Sequence, residues 1–206
     1  MAEERKLKIG KFSRIQIIMK SFFDLLKDQS GLKEEDLQVL LAKWDKSKQL
    51  ARNDFLIRPG QVEDHLYLIQ EGLLRIYYPQ EEQEICVGFG YDQTLICSFP
   101  SLIDRQPSEY AIQALRKTKL LGITRSDLYD AIEERSALQR VWRQWMETAL
   151  LGRITREIDL LTVSPRDRIM RLFSRNPDVF QRVPHKYIAS YLRMSPETLS
   201  RNLSNS

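Results

Sequence analysis

"IASYLRMSPETLSRN" runs from Ile188 to Asn202. Tyr187, Ile188, Tyr191 and Leu192 recur at helical spacing and give a first helix its apolar face. Ala189 is small, as a site where a second helix crosses closely requires. Arg193-Met194-Ser195 reads as a turn. Ser195-Pro196-Glu197 then opens a second helix, with Ser as N-cap, Pro at the first helical position and an acid near the positive end. Met194 and Leu199 are expected to bury against Ile188 and Leu192 and lock the two helices together. Glu197, Thr198, Ser200, Arg201 and Asn202 are left facing outward. This is helix-turn-helix construction, in which the second helix enters the major groove of DNA.

The chemistry of that face agrees. Glu197 can accept from a cytosine amino group, and Arg201 can bond both major-groove acceptors of a guanine. Four residues apart, they share one helix face and can read neighbouring base pairs. His185, Lys186, Arg193 and the second helix's N-terminus, with Ser195 and Pro196, are placed to meet phosphates. A helical hairpin with a solvated Glu–Arg pair would explain the spacing equally well; charge separates the two readings. Residues 164–206 carry eight Lys or Arg against three acids, a net +5 in a chain of net +4. The other residues therefore sum to −1, and a basic module on a near-neutral body suggests an anionic partner.

The chain has 206 residues, 42% hydrophobic and 29% charged, which is globular composition. Two cysteines and no signal-like start fit a reducing cytoplasm. The apolar run Ile15 to Leu26 is interrupted by Lys20, Ser21 and Asp24 and is too short for a membrane span. No membrane partner is expected. Residues 12–50 read as helices, through Phe12, Ile15, Ile18, Phe22 and Leu25, then Leu37, Leu40, Leu41 and Trp44. From Phe55 to Thr124 short apolar runs alternate with turn residues: "FLIRPG", "HLYLIQEGLLRIYYP", "EICVGFGY", "TLICSF", "YAIQAL", "KLLGIT". Closely spaced short strands indicate an all-β roll or barrel. Pro59-Gly60 and Glu71-Gly72 mark turns, and "YPQEEQE" a hairpin loop.

Helix resumes with Ser126 as expected N-cap. Ser136-Ala-Leu-Gln139 has capping-box form and opens a helix to about Val163. At 1.5 Å per residue it would be about 40 Å long. Leu138, Trp142, Trp145, Ala149 and Gly152 step by four and three, the spacing of a helix–helix seam, and predict a two-fold dimer. Leu150, Ile154, Ile158 and Leu161 continue on a neighbouring face. Ser164-Pro165-Arg166-Asp167 restarts helix. The expected organisation is residues 1–135 as N-terminal helices and β-roll, 136–163 as dimerisation helix, and 164–206 as the DNA-binding module.

"RPG…LYLIQEG", a long central helix and "RVPHKYIASYL…SPETLSR" resemble the Crp–Fnr family of bacterial transcription regulators over roughly residues 30–206. The resemblance implies an α+β chain: a cyclic-nucleotide-binding-like roll flanked by helices, a long dimerisation helix and a C-terminal winged helix-turn-helix. It implies a homodimer on an inverted-repeat operator, with RNA polymerase as a further partner. It puts Glu197 and Arg201 at base-reading positions and His185 at a backbone-contact position. Three departures accompany it. The turn usually has Gly where Arg193 stands. Pro196 replaces a base-contacting Arg of the cyclic AMP receptor protein. The chain also stops at Ser206, which leaves little room for a closing strand.

The roll departs further. Family members that bind cyclic nucleotides carry Gly-Glu for the ribose and, about ten residues later, Arg with Ser or Thr for the phosphate. Aligned on "LICSFPSLIDRQPSEYAIQAL", those pairs are Cys97-Ser98 and Ser108-Glu109 here. Both anchors are missing, a carboxylate stands where an anion would be held, and Arg105 lies three residues early. The expectation is a regulator that ignores cyclic AMP. Its roll holds an unknown, more apolar effector or none, with Leu66, Leu68, Ile85, Val87 and Phe89 filling the interior. Cys86 and Cys97 read as core residues, His65 and His185 share no ligand spacing, and no metal, cofactor or catalytic constellation is expected. The competing reading is a ligand sensor or scaffold whose helical tail docks on a protein rather than on DNA.

Overall fold

The computed structural model describes residues 33–204. The helix expected from Phe12 to Leu26 lies outside them. The first described helix, α1 (Glu34–Lys43), ends at Trp44. Lys46–Leu50 then forms a strand, β1, although residues up to 50 were expected to be helical. Its five residues pair antiparallel with Thr118–Gly122. This long-range pairing overrides a segment whose one deeply buried side chain is Leu50.

Seven further strands complete the roll: β2 (Phe55–Ile57), β3 (His65–Glu71), β4 (Leu73–Gln80), β5 (Gln83–Tyr91), β6 (Leu95–Ile96), β7 (Ala111–Ala114) and β8 (Thr118–Thr124). They make two four-stranded antiparallel sheets, ordered β1-β8-β3-β6 and β2-β7-β4-β5. The chain crosses between sheets at Gly72, whose φ of +143° favours glycine. A Cβ there would sit 2.3 Å from the Thr118 hydroxyl.

Tyr67 and Ile69 of β3 point into the roll with Leu56, Ile57, Leu74, Ile96, Ile112 and Leu120. Leu66 and Leu68 point the other way, onto Leu40, Trp44, Leu128 and Leu138 of the helices. The interior expected to hold Leu66 and Leu68 is therefore filled by their neighbours. A strand buried on both faces has no polar alternation to show which face is which.

A short helix, α2 (Phe99–Asp104), follows β6, and α3 (Arg125–Glu134) follows β8. Thr124, not Ser126, caps α3: its hydroxyl accepts from the Asp127 N–H at 3.1 Å and donates to the Asp127 carboxylate at 2.6 Å. The long helix α4 spans Ser136–Leu161, about 39 Å. Its N-cap is Arg135 without a side-chain cap bond, so the expected Ser136 capping box does not form. Arg135 instead reaches Asp36 of α1 at 2.8 Å. Beyond it lie α5 (Pro165–Arg175), α6 (Val179–Arg182), α7 (His185–Tyr191) and α8 (Pro196–Ser204). Ser164 caps α5 as the sequence predicts, accepting from the Asp167 N–H at 3.3 Å. No strand follows Thr124 among the described residues, so the expected wing is not formed there.

Candidate functional site

The α7–turn–α8 unit forms around a small core. Ile188, Ala189, Leu192 and Leu199 are fully buried, joined by Ile169, Leu172, Val179 and Val183, with Met194 and Leu203 packed on them. The α7 C-terminus is a Schellman turn: the Met194 N–H reaches Ala189 O at 3.0 Å, and the Arg193 N–H reaches Ser190 O at 3.1 Å. Arg193 takes the left-handed position, φ +55°. An L-residue there costs about 1–2 kcal/mol. Arg168 of α5 secures the turn, its guanidinium donating to Leu192 O at 2.9 Å, Arg193 O at 3.3 Å and Val163 O at 3.2 Å. Sequence reading had counted Arg168 only as charge. A side chain that bonds carbonyls about 25 positions away carries no local signal.

Ser195 caps α8, its hydroxyl accepting from the Thr198 N–H at 3.2 Å. Glu197, Ser200 and Arg201 are exposed, and Thr198 is half-buried. The Ser195 hydroxyl and its own backbone N–H hold the exposed Glu197 carboxyl below the usual carboxylate range, so it is ionised and an acceptor. His185, Lys186, Arg193 and Pro196 are exposed. Lys186, Arg193, Ser195 and Pro196 border a cleft of about 470 Å³ against Gln83, Glu84 and Ile85. Of the nine sequence-selected residues, Lys186, Arg193, Ser195 and Pro196 meet at this cleft, and Glu197, Thr198, Ser200 and Arg201 follow along α8.

This module docks on the roll. Ser190 of α7 accepts from the Cys86 N–H at 3.0 Å and donates to Glu84 O at 3.1 Å. Arg75, nearly buried, pairs with Glu84 at 2.6 Å and lies over the rings of Tyr77 (4.2 Å) and Tyr187 (4.6 Å). Asn176 donates to the Tyr91 hydroxyl at 2.7 Å. Asp159, 1% exposed near the end of α4, pairs with Arg171 at 2.7 Å and with Arg175. Phe89, expected inside the roll, packs on Tyr191 instead, with ring centres 5.5 Å apart.

Under α4 the roll holds a cavity of about 400 Å³. Three of the four cassette positions face it: Cys97, Ser98 and Ser108. Glu109 does not; it is exposed and outside the lining, so the expected carboxylate is not where an anion would sit. The chain bends at Glu109 and Tyr110, and Ser108 takes the inward side. Its hydroxyl is spent on Tyr110, donating to the backbone O at 2.9 Å and accepting from the N–H at 3.1 Å. Arg105 is exposed, ends α2 in a left-handed conformation and does not line the cavity. The cation at the cavity is Arg153 of α4, which sequence reasoning missed because the long helix adds it from far beyond the cassette in the chain. Cys97 lies in the wall, and burial pushes its thiol up to about 12; Cys86 is raised by the same cause.

The long helix corrects the predicted seam. Leu138 is fully buried in the chain's own core, and Trp142 and Trp145 pack against that core. Trp145 stacks on Phe99 at 5.6 Å and Trp142 meets Tyr129 at 6.0 Å. Ala149 lines the cavity, and Gly152 faces open space. The apolar surface that α4 leaves uncovered is Leu150, Leu151, Ile154, Ile158 and Leu161, between 44% and 75% exposed. Spacing alone did not distinguish a seam filled by the same chain from one left open.

His65 lies between two acids adjacent in the chain, with Glu63 at 2.6 Å and Asp64 at 3.1 Å from its Nδ1. His185 is not among them. No helix among the described residues is long and apolar enough to cross a membrane.

Residues 47–135 match the family described as the cyclic nucleotide-binding domain. Over 78% to 84% of its length the chain shares its fold with solved regulators of the Crp–Fnr type. A CooA double mutant from Carboxydothermus hydrogenoformans superposes with a TM-score of 0.64 at 18% identity, over 82% of this chain and 78% of that one. FixK2 from Bradyrhizobium japonicum gives 0.65 at 16% identity, over 78% and 83%. The c-di-GMP-responsive global regulator CLP from Xanthomonas campestris gives 0.63 at 17%, over 84% and 91%. Sequence comparison with curated proteins finds no match.

Proposed function

We propose that this chain is a sequence-specific, DNA-binding transcription regulator that works as a cytoplasmic homodimer and does not answer to cyclic AMP. The observation that carries the reading is the outer face of α8: ionised Glu197 and exposed Arg201, four residues apart on a helix whose entry turn is fixed from three directions. A helix held this firmly, with its polar residues turned to solvent on a +5 module, suits a major groove better than a protein surface. Base contacts come from Glu197 and Arg201, and phosphate contacts from His185, Lys186 and Arg193.

The dimer forms through Leu150, Leu151, Ile154, Ile158 and Leu161 of α4, paired with a second copy. Two-fold pairing presents two reading helices about 34 Å apart, so the operator is an inverted repeat with half-sites about one turn apart. RNA polymerase is the natural further partner of such a complex. Duplexes selected from a random DNA pool test the reading. Arg201→Ala is expected to cost about 1–3 kcal/mol on the selected site and to relax specificity, while Lys186→Ala weakens all duplexes alike. Equal losses on selected and scrambled DNA for Arg201→Ala would remove it from base reading. Ile154→Glu is expected to give a monomer by sedimentation; a monomeric wild type at micromolar concentration, with and without DNA, would count against the dimer.

A further inference from the structure

The cavity under α4 has an unusual balance of groups. Its walls are apolar, chiefly Ile76, Val87, Phe99, Ile112, Met146 and Leu150. Its volume of about 400 Å³ falls in the range of small-molecule sites. Two polar side chains on it remain uncommitted. Ser98 is 6% exposed, and its hydroxyl has no hydrogen-bond partner among the described residues. A buried hydroxyl left unmet costs free energy that an oxygen on an occupant would recover. Arg153 is exposed at the lining; it makes a long 3.4 Å bond to Val87 O and forms no ion pair among the described residues. The lining includes no acid.

Deepening the reading of the roll as a regulator's sensor, on which it rests, we propose that this cavity binds an apolar carboxylic acid. The hydrocarbon part fills the space between β4, β5, β7 and α4. The carboxylate pairs with Arg153, which exchanges a weak bond to a carbonyl for a charge-assisted, bidentate one. Ser98 donates to an oxygen of the occupant. A cyclic nucleotide suits the site poorly. Its ribose hydroxyls and base edges would face apolar walls, and the Ser108 hydroxyl is already taken by Tyr110.

The test uses the full-length protein without DNA, so its outcome does not depend on whether the chain binds DNA. Trp145 stacks on Phe99, a wall of the cavity, and supplies a fluorescence reporter beside calorimetry. Decanoate is expected to bind saturably. Decanol, with the same chain and no charge, should bind about tenfold more weakly or worse. Arg153→Gln should lower decanoate affinity to that of decanol, and Arg153→Lys should restore part of the difference. Ala149→Phe should fill the cavity and abolish binding of both. Equal affinity for decanoate and decanol would overturn the charge assignment. Binding that survives Ala149→Phe would overturn the location. Absence of saturable decanoate binding, or displacement of decanoate by cyclic AMP, cyclic GMP or cyclic di-GMP at comparable concentration, would overturn the ligand class.

Discussion

In the α7–turn–α8 unit, Ile188, Leu192 and Leu199 hold Glu197 and Arg201 at fixed spacing within one short stretch of chain. The cavity under α4 draws its walls from β4, β5, the β6–α2 junction, β7 and the middle of α4. The first is a convex polar face on a core of α5 to α8 that Leu73, Phe89, Tyr91 and Leu115 of the roll also join. The second is a concave apolar space inside a large one. Local spacing specifies the helices, the cap and the outward face of the first, although Arg168 of α5 secures its turn from a distance. Nothing local specifies the second, since its one cation and its cassette come together only when the long helix crosses the roll.

If that contrast is physical, a lesion in the core beneath α8, away from the α4 cavity, should harm one site more than the other. Leu192 is fully buried at the centre of the module. Leu192→Ala removes three carbons from a packed site and is expected to cost about 2–5 kcal/mol of stability. Urea unfolding measures this directly. DNA affinity should fall with it, while decanoate binding under native conditions stays within about twofold of wild type. Joint loss of both activities would mean that the docking of α7 on β5, through Ser190 and Arg75, makes the two regions one cooperative unit.

Arg193 sharpens the contrast within the head itself. It occupies the left-handed turn position at φ +55°. Arg193→Gly relieves that strain and is expected to raise stability by about 1 kcal/mol, the larger backbone freedom of glycine offsetting part of the gain. The same change removes a cation beside the α8 N-terminus. Affinity for all duplexes should therefore drop, and the salt dependence of binding should shallow by about one ion. Thermal melts and titrations at several salt concentrations read the two effects separately. A variant both less stable and unchanged in DNA affinity would show that Arg193 is retained for packing.

The same contrast explains what was legible in the sequence. The two helices, the turn, the Ser164 and Ser195 caps and the outward set on α8 follow from spacing and cap chemistry. The roll was visible as closely spaced apolar runs, but the facing of β3 was not, because Leu66 to Ile69 are buried on both sides. The seam of α4 was misplaced for a related reason. Trp142 and Trp145 repeat at the same period as Leu150, Ile154 and Ile158, and only the fold shows that the tryptophans pack against the chain's own core. Glu109 failed differently: it sits at a bend, where one position decides between cavity and solvent, and Ser108 holds the inward one. Arg75, Arg153 and Arg168 carried no signal, since each acts on groups distant in the chain.

The smallest expected effect belongs to the cavity alone and appears only in alkali. Cys97 lies in its wall, and burial pushes the thiol from 9.0 up to about 12. The sign follows from linkage. Below about pH 9 the thiol is protonated in both folded and unfolded chains and contributes no pH dependence. Above it the unfolded chain releases the proton while the folded one keeps it, so stability declines as pH rises, until the folded thiol also ionises near 12. Native Cys97 should accordingly resist iodoacetamide at pH values where an exposed thiol reacts readily. Cys97→Val keeps an apolar side chain in the wall and removes the titration. Its melting temperature should fall less steeply than that of wild type between pH 9 and about 12. Cys86 titrates in the same direction and remains in both proteins, so the difference between the two slopes isolates Cys97. Parallel slopes, or rapid alkylation of native Cys97 at neutral pH, would show that water reaches this wall freely. The cavity would then lack the dry surface that an apolar occupant requires.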